Sequence, residues 1–371
     1  MRVDDTYGGG KEVDSRPVVG LCANRQVRDE YIARHDADEL ARIADFKFLE
    51  LDLPSSWDAP PTIKPAQLRE VMDWLQGIDA LVVCHGAPRI TGELVRAPRL
   101  KFVGELEGDR FARRIDVEAC AALGIRTVDT TQGSSYPVSE WALAMMLIGL
   151  RNAGALFRDL IAGKPVFSQD ERKADHGYLR GELSGKTVGL IGCGHIGRRL
   201  LEFLRPFGVR VLVHDPYLPR EVADIYGFAL TRLETAISQS DVVVCLAPLT
   251  PKTRGMIGRK EIALLRPGTV FVNVSRGAIV DSAALVERLR LGDIVASLDV
   301  FDPEPIPVDS PIRTMRNVFL TPHIAGVTAA SRTRFFSLMV EELRRFFAGH
   351  ETLYDLSPST LANRRGEPAG R

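Results

Sequence analysis

Short apolar runs alternate with helix-period stretches in two separate series along this chain, and no other feature constrains its fold as strongly. From Pro17 onward, "VVGLC", "FKFLELDL", "DALVVCHG", "LKFVGEL" and "IRTVDT" read as strands, with "DADELARIADF", "AQLREVMDWLQ" and "DVEACAALG" as helices between them. The runs are mostly continuously apolar, as in strands covered on both faces, so a parallel sheet with helices on each side is expected. One long helix is expected from about Pro137 to Ile161, with Pro137 suited to a first turn. The alternation then restarts with "KTVGLIG", "RVLVHD", "DVVVCLAP", "GTVFVNVS" and "IVASLDV". The last helix, "TRFFSLMVEELRRFFAG", follows the close of this second series and is placed to return onto the first. These patterns predict an α/β chain of two doubly wound domains: residues 16–135 completed by 326–356, and residues 136–325, with disordered tails at 1–15 and 357–371.

Lys plus Arg and Asp plus Glu each total 48, so no net field draws the chain to nucleic acid or to an acidic membrane surface. The most apolar run, "WALAMMLIGL", is about half the length that spans a bilayer. The N-terminal "MRVDDTYGGGKEVDSRP" lacks the apolar core of a secretory signal, and a cytoplasmic location is expected. Cys22, Cys84, Cys120, Cys193 and Cys245 are scattered, odd in number and without a C-x-x-C pair, which predicts reduced core residues and no metal site.

"GLIGCGHIGRRL" carries the spacing G-x-G-x-x-G at Gly192, Gly194 and Gly197. Three glycines alone are weak evidence, but a strand runs into these, a helix opens within them, and the next strand ends in Asp215, about 20 residues on. In that setting Gly192 permits a tight turn, Gly194 lets backbone approach a pyrophosphate, and Gly197 lets helix and strand pack closely. The helix N-terminus offers N–H donors and positive potential to phosphates. His195 is expected to act through its backbone. Asp215 suits the ribose hydroxyls and would repel a 2′-phosphate, favouring NAD over NADP, although Arg220 nearby keeps NADP open.

Taken in order, "GLIGCGHIGRRL", "HDPYL", "APLTPKTRGMIG", "FVNVSRGAIVDSAAL", "LDVFDPEPIP" and "NVFLTPHIAG" resemble the signatures of the D-isomer-specific 2-hydroxyacid dehydrogenases, densely over 136–326 and loosely over 17–135. The resemblance implies a Rossmann coenzyme domain inserted in a flavodoxin-like substrate domain, with the site where the two meet. It also implies NAD as cofactor, a homodimer, and hydride exchange at C2 of a small 2-oxo or 2-hydroxy acid. Carried over motif by motif, it makes Arg276, Glu304 and His323 the working residues. His323 would be the acid/base, Glu304 its carboxylate partner, and Arg276 the planar cation for the substrate. Asp299 falls at the position that holds the nicotinamide carboxamide. His195, Ile196, Ala247, Val274 and Ser275 fall along the cofactor.

Other positions depart from the family pattern. Members commonly hold the substrate carboxylate on backbone N–H groups of a small-residue turn, represented here by "CHGAPRIT", with Gly86 and Ala87 as the expected contacts and Pro88 lacking a donor. A second loop reads "GELEGDRFARRID", with Arg110, Arg113 and Arg114. Either these arginines bind a second anionic group on the substrate, with Arg110 the leading candidate, or they face water. Leu246 and Trp141 stand where many members have His, and both are expected to be packing changes. Two further readings share the resemblance: an NAD(H)-sensing corepressor-like protein and a phosphite dehydrogenase. Formate oxidation is disfavoured, because formate enzymes of this family carry Gln at the Glu304 position.

Overall fold

The computed structural model describes residues 16–54, 61–107, 114–164, 181–326 and 328–365. The chain divides into two compact units, residues 1–131 with 335–358 and residues 132–334 with 359–371. The expected tail 1–15 lies outside the described residues.

The first unit is built on five parallel strands: β1 Val18–Ala23, β2 Asp45–Glu50, β3 Ala80–Val83, β4 Phe102–Glu105 and β5 Arg126–Asp129, in the order β2-β1-β3-β4-β5. Helices α1 Arg25–Tyr31, α2 Arg34–Ile43, α3 Pro65–Leu75 and α4 Val117–Ala122 connect them. The central strands β3 and β4 are buried at every residue, whereas the edge strand β2 is partly exposed. The core of this unit takes Phe335, Phe336, Met339 and Leu343 from the long helix Ala329–Phe347, alongside Leu21, Val82 and Phe102. At the sheet surface Gly104 admits that helix, since a Cβ there would meet Met339 Sδ at 2.5 Å.

The second unit has seven parallel strands: β6 Thr187–Ile191, β7 Arg210–His214, β8 Ala229–Leu230, β9 Val242–Cys245, β10 Val270–Asn273, β11 Val295–Leu298 and β12 Val318–Leu320. Their order is β12-β11-β10-β9-β6-β7-β8. The short strands β8 and β12 were not visible in the apolar pattern. One core layer packs Met145, Met146 and Leu150 against Val188, Val244 and Val272, and a second contains Phe271, Ile279, Leu285 and Leu298.

The structure corrects two expectations. The single helix of 137–161 is two, α5 Ser135–Leu150 and α6 Ala153–Ile161, separated where Asn152 adopts a left-handed φ of 42°. Part of the expected C-terminal tail is ordered: Pro358–Arg365 is helical and Leu361 is buried, giving that segment the apolar anchor that its polar composition hid. All five cysteines are free and buried, and burial pushes the Cys22, Cys120, Cys193 and Cys245 thiols up to about 12. Among the described residues no helix is long and apolar enough to cross a membrane.

Candidate active site

In the second unit, β6 runs directly into the glycine turn. Gly192 sits at φ 91°, and a Cβ there would lie 2.7 Å from the Ala247 nitrogen, so both the conformation and the packing require glycine. Its N–H donates to the His214 carbonyl at 2.8 Å. Gly194 precedes helix α7 (His195–Leu204) and is exposed, and a Cβ on it would meet nothing within 4 Å. The backbone is therefore open in front of a helix N-terminus, which can receive an anion. Gly197 packs its Cα against the turn, where a Cβ would stand 3.2 Å from the Gly192 carbonyl oxygen.

Asp215, just beyond β7, is fastened beside this turn. Its Oδ2 accepts from the Cys193 N–H at 2.9 Å and its Oδ1 from the Tyr217 N–H at 3.0 Å. Ala247 and Val274 are buried, Ile196 is half-buried, and the Ser275 hydroxyl donates to the Ala247 carbonyl. A carboxylate next to an open, glycine-lined helix N-terminus fits an adenine dinucleotide without the 2′-phosphate.

At the far side of the same sheet, three loops carry the expected reactive groups. His323 follows β12 in the left-handed region, φ 55°, and its N–H donates to the carbonyls of Asp299 (2.9 Å) and Thr321 (3.0 Å). Its Nδ1 stands 2.5 Å from Glu304 Oε1, and the two side chains are 23% and 37% exposed. Glu304 Oε2 also accepts from the Phe301 N–H at 3.3 Å. Arg276 is half-buried, its Nη1 donating to the Ser275 carbonyl at 2.7 Å. The following Gly277 presses against the backbone of Phe301: a Cβ there would fall 1.9 Å from its carbonyl carbon. The Arg276 and Glu304 segments thus touch, main chain to main chain.

Asp299 is fully buried, and its carboxylate accepts from the Ile324 N–H (2.9 Å), the Ala325 N–H (3.0 Å) and the Thr321 hydroxyl (2.6 Å). The expected nicotinamide contact is therefore a side chain already holding the histidine loop.

In the first unit, Gly86 (φ 86°) is buried, and its carbonyl accepts from the Leu53 N–H at 3.2 Å. Ala87 is buried, and its N–H donates to the Cys84 carbonyl at 3.1 Å, where the turn closes on itself. Arg110 and Arg113 lie outside the described residues. Arg114 neither faces water nor reaches outward. It is completely buried, donates to the Cys84 carbonyl and lies 3.5 Å from Glu105.

His85, to which the sequence assigned no role, has Nε2 3.3 Å from Glu107 Oε2, and Glu107 also accepts from the Tyr31 hydroxyl. Cys84, His85 and Glu107 could each present a ligand atom within 4.8 Å of the others. However, burial pushes the Cys84 thiol well above its ordinary range and the Arg114 guanidinium already supplies a cation, a poor donor set for a metal.

Residues 143–325 match the family model described as D-isomer specific 2-hydroxyacid dehydrogenase, NAD binding domain. A glyoxylate reductase of Aeropyrum pernix is 34% identical over 73% of this chain and 78% of its own. The chain belongs to the D-isomer specific 2-hydroxyacid dehydrogenase family. A D-3-phosphoglycerate dehydrogenase of Methanocaldococcus jannaschii is 34% identical over 76% of this chain but 52% of its own, so the chain spans about half of that relative. The crystal structure of a glyoxylate reductase from Paecilomyes thermophila superposes with a TM-score of 0.67 at 25% identity, covering 93% of this chain and 99% of that one. The matched segment of this dehydrogenase-family chain contains the glycine turn, Asp215, Arg276, Asp299, Glu304 and His323. NAD is its cofactor.

Proposed function

We propose that the protein is an NAD-dependent 2-hydroxyacid dehydrogenase that interconverts a small 2-oxo acid and its D-2-hydroxy acid. The observation that carries this reading is the His323–Glu304 pair at 2.5 Å, in a loop whose main chain is held in a left-handed conformation. Backbone strain of this kind persists where the surrounding structure over-determines it, and it concentrates at functional sites.

The glycine turn, Asp215 and the N-terminus of α7 would hold NAD, which when bound donates or accepts the hydride. His323 Nδ1 donates to Glu304, which fixes the ring and leaves Nε2 to give a proton to the forming C2 alkoxide, or to take it in the reverse direction. Arg276, anchored through Ser275, supplies the planar cation for the substrate carboxylate and carbonyl oxygen. The first unit serves as the substrate domain, the protein acts in the cytoplasm, and two copies form a homodimer.

The test is a panel of 2-oxo acids with NADH, followed at the nicotinamide absorbance. His323→Ala and Arg276→Ala are each expected to lower turnover by at least about two orders of magnitude, with NADH affinity nearly unchanged for His323→Ala. Wild-type protein that binds NADH but reduces no 2-oxo acid would replace this reading with the NAD(H)-sensing one.

A further inference from the structure

The loop that carries His323 is suspended from a directed chain of donors that ends on the buried Asp299 carboxylate, and two members of that chain, Trp141 and Thr321, are half-buried. Trp141, on α5, points its Nε1–H at Thr321 Oγ1, 3.4 Å away. Thr321 in turn gives its hydroxyl proton to Asp299 Oδ1 at 2.6 Å. The Asp299 carboxylate, 0% exposed, also receives the N–H groups of Ile324 and Ala325, the two residues after His323. From the other side, the Asp299 carbonyl receives the His323 N–H, and the Asp299 N–H donates to the Asn273 carbonyl at 3.0 Å. Asn273 carries the connection onward, since its side chain donates to the Arg276 carbonyl and accepts from the Ser275 N–H.

We propose that Thr321 and Trp141 are positioning residues that act through Asp299 to hold His323 in its left-handed conformation. The proposal rests on the reading of His323 as the acid/base. Every bond in the chain has a defined direction. The tryptophan can only donate, the threonine passes a donor on, and a buried carboxylate surrounded by donors can only accept. Removing the hydroxyl takes one charge-assisted bond from a desolvated carboxylate and leaves the Trp141 N–H without this acceptor. The two amides beyond His323 then stand on a less constrained acceptor, and a histidine at φ 55° has an easier route back to ordinary backbone geometry.

Thr321→Val removes the hydroxyl at constant shape, Thr321→Ser keeps it, and Trp141→Phe removes the N–H together with part of the indole, so the threonine pair carries the decision. Amide hydrogen exchange across 323–325 reads the suspension directly. It should quicken roughly tenfold in Thr321→Val, less in Trp141→Phe, and stay near wild type in Thr321→Ser. With a 2-oxo acid that the wild type turns over, kcat should fall about tenfold in Thr321→Val while the Kd for NADH holds, and Thr321→Ser should restore it.

Wild-type exchange rates in both Thr321→Val and Trp141→Phe would overturn the proposal. So would equal loss in Thr321→Ser and Thr321→Val, which would assign the effect to packing. Because exchange is measured without turnover, a protein that reduces no 2-oxo acid would refute the functional reading while the amides still decide the chain.

Discussion

Glu105 ends β4 fully buried, 3.5 Å from the equally buried Arg114. Burial pushes its carboxyl from 4.5 up to about 8 against the pull of the Arg114 guanidinium, and the neighbouring charges of Asp129 and Glu107 add to the rise. Between those two values the folded chain keeps a proton that the unfolded chain has released. The stability tied to Glu105 is therefore full below about pH 4.5 and is lost as pH rises through about 8. The gap between 4.5 and about 8, at about 1.4 kcal/mol per pH unit, bounds the effect at about 5 kcal/mol. Glu105→Gln keeps the shape and removes the titration. Urea unfolding at pH 5, 7 and 9 should show the two proteins nearly equal at pH 5 and the variant ahead by roughly 2–5 kcal/mol at pH 9. A difference that stays constant with pH, or a variant that falls behind at pH 9, would refute the reasoning.

Three further outcomes are expected. Asp215→Ala should weaken NADH binding and move the preference toward NADPH, read as Kd values for both; a wild type that prefers NADPH would reverse the assignment of Asp215. Glu304→Ala should lower kcat by about one to two orders of magnitude while NADH affinity holds, so a near wild-type rate would remove Glu304 from the mechanism. Gly277→Ala drives a methyl to within 1.9 Å of the Phe301 backbone and should cost more than about 2 kcal/mol; an unchanged melting temperature would show that the two loops can separate freely.

The two-sheet α/β class was legible because strands covered on both faces are continuously apolar: "ALVV" of β3 and "VVVC" of β9 are buried at every position. Where burial and composition part company, the text misled. β8, "AL", is two exposed residues at a sheet edge and leaves no apolar run. Asn152 breaks the long helix by a φ of 42° that no hydrophobic period reports. Gly192 and Asp215 could be read because a tight turn and a carboxylate one strand away are local consequences of one strand-turn-helix unit. Thr321, Trp141 and Asn273 could not, since a Trp141–Thr321 contact between residues 180 apart exists only once α5 has packed on the sheet. Arg114 shows the same limit: as text it is one of three arginines in a polar loop, and only the folded unit shows its side chain donating to the Cys84 carbonyl and lying beside Glu105.

Arg114 also bears on the substrate. An oxo acid with a second anionic group was attractive because "GELEGDRFARRID" holds three arginines, yet one of them is committed to the interior of the first unit. At the carboxyl ends of β3 and β4, Glu107 lies against His85 and Tyr31, and the Arg114 guanidinium is held on the Cys84 carbonyl beside Glu105. In an open α/β sheet that is the end where ligands bind. The arginine count therefore overstates the positive charge that this loop can turn toward a substrate. Comparing hydroxypyruvate with oxaloacetate tests what remains of the idea: a higher kcat/KM for oxaloacetate, lost in Arg110→Ala or Arg113→Ala, would mean that the rest of the loop still serves a second anionic group.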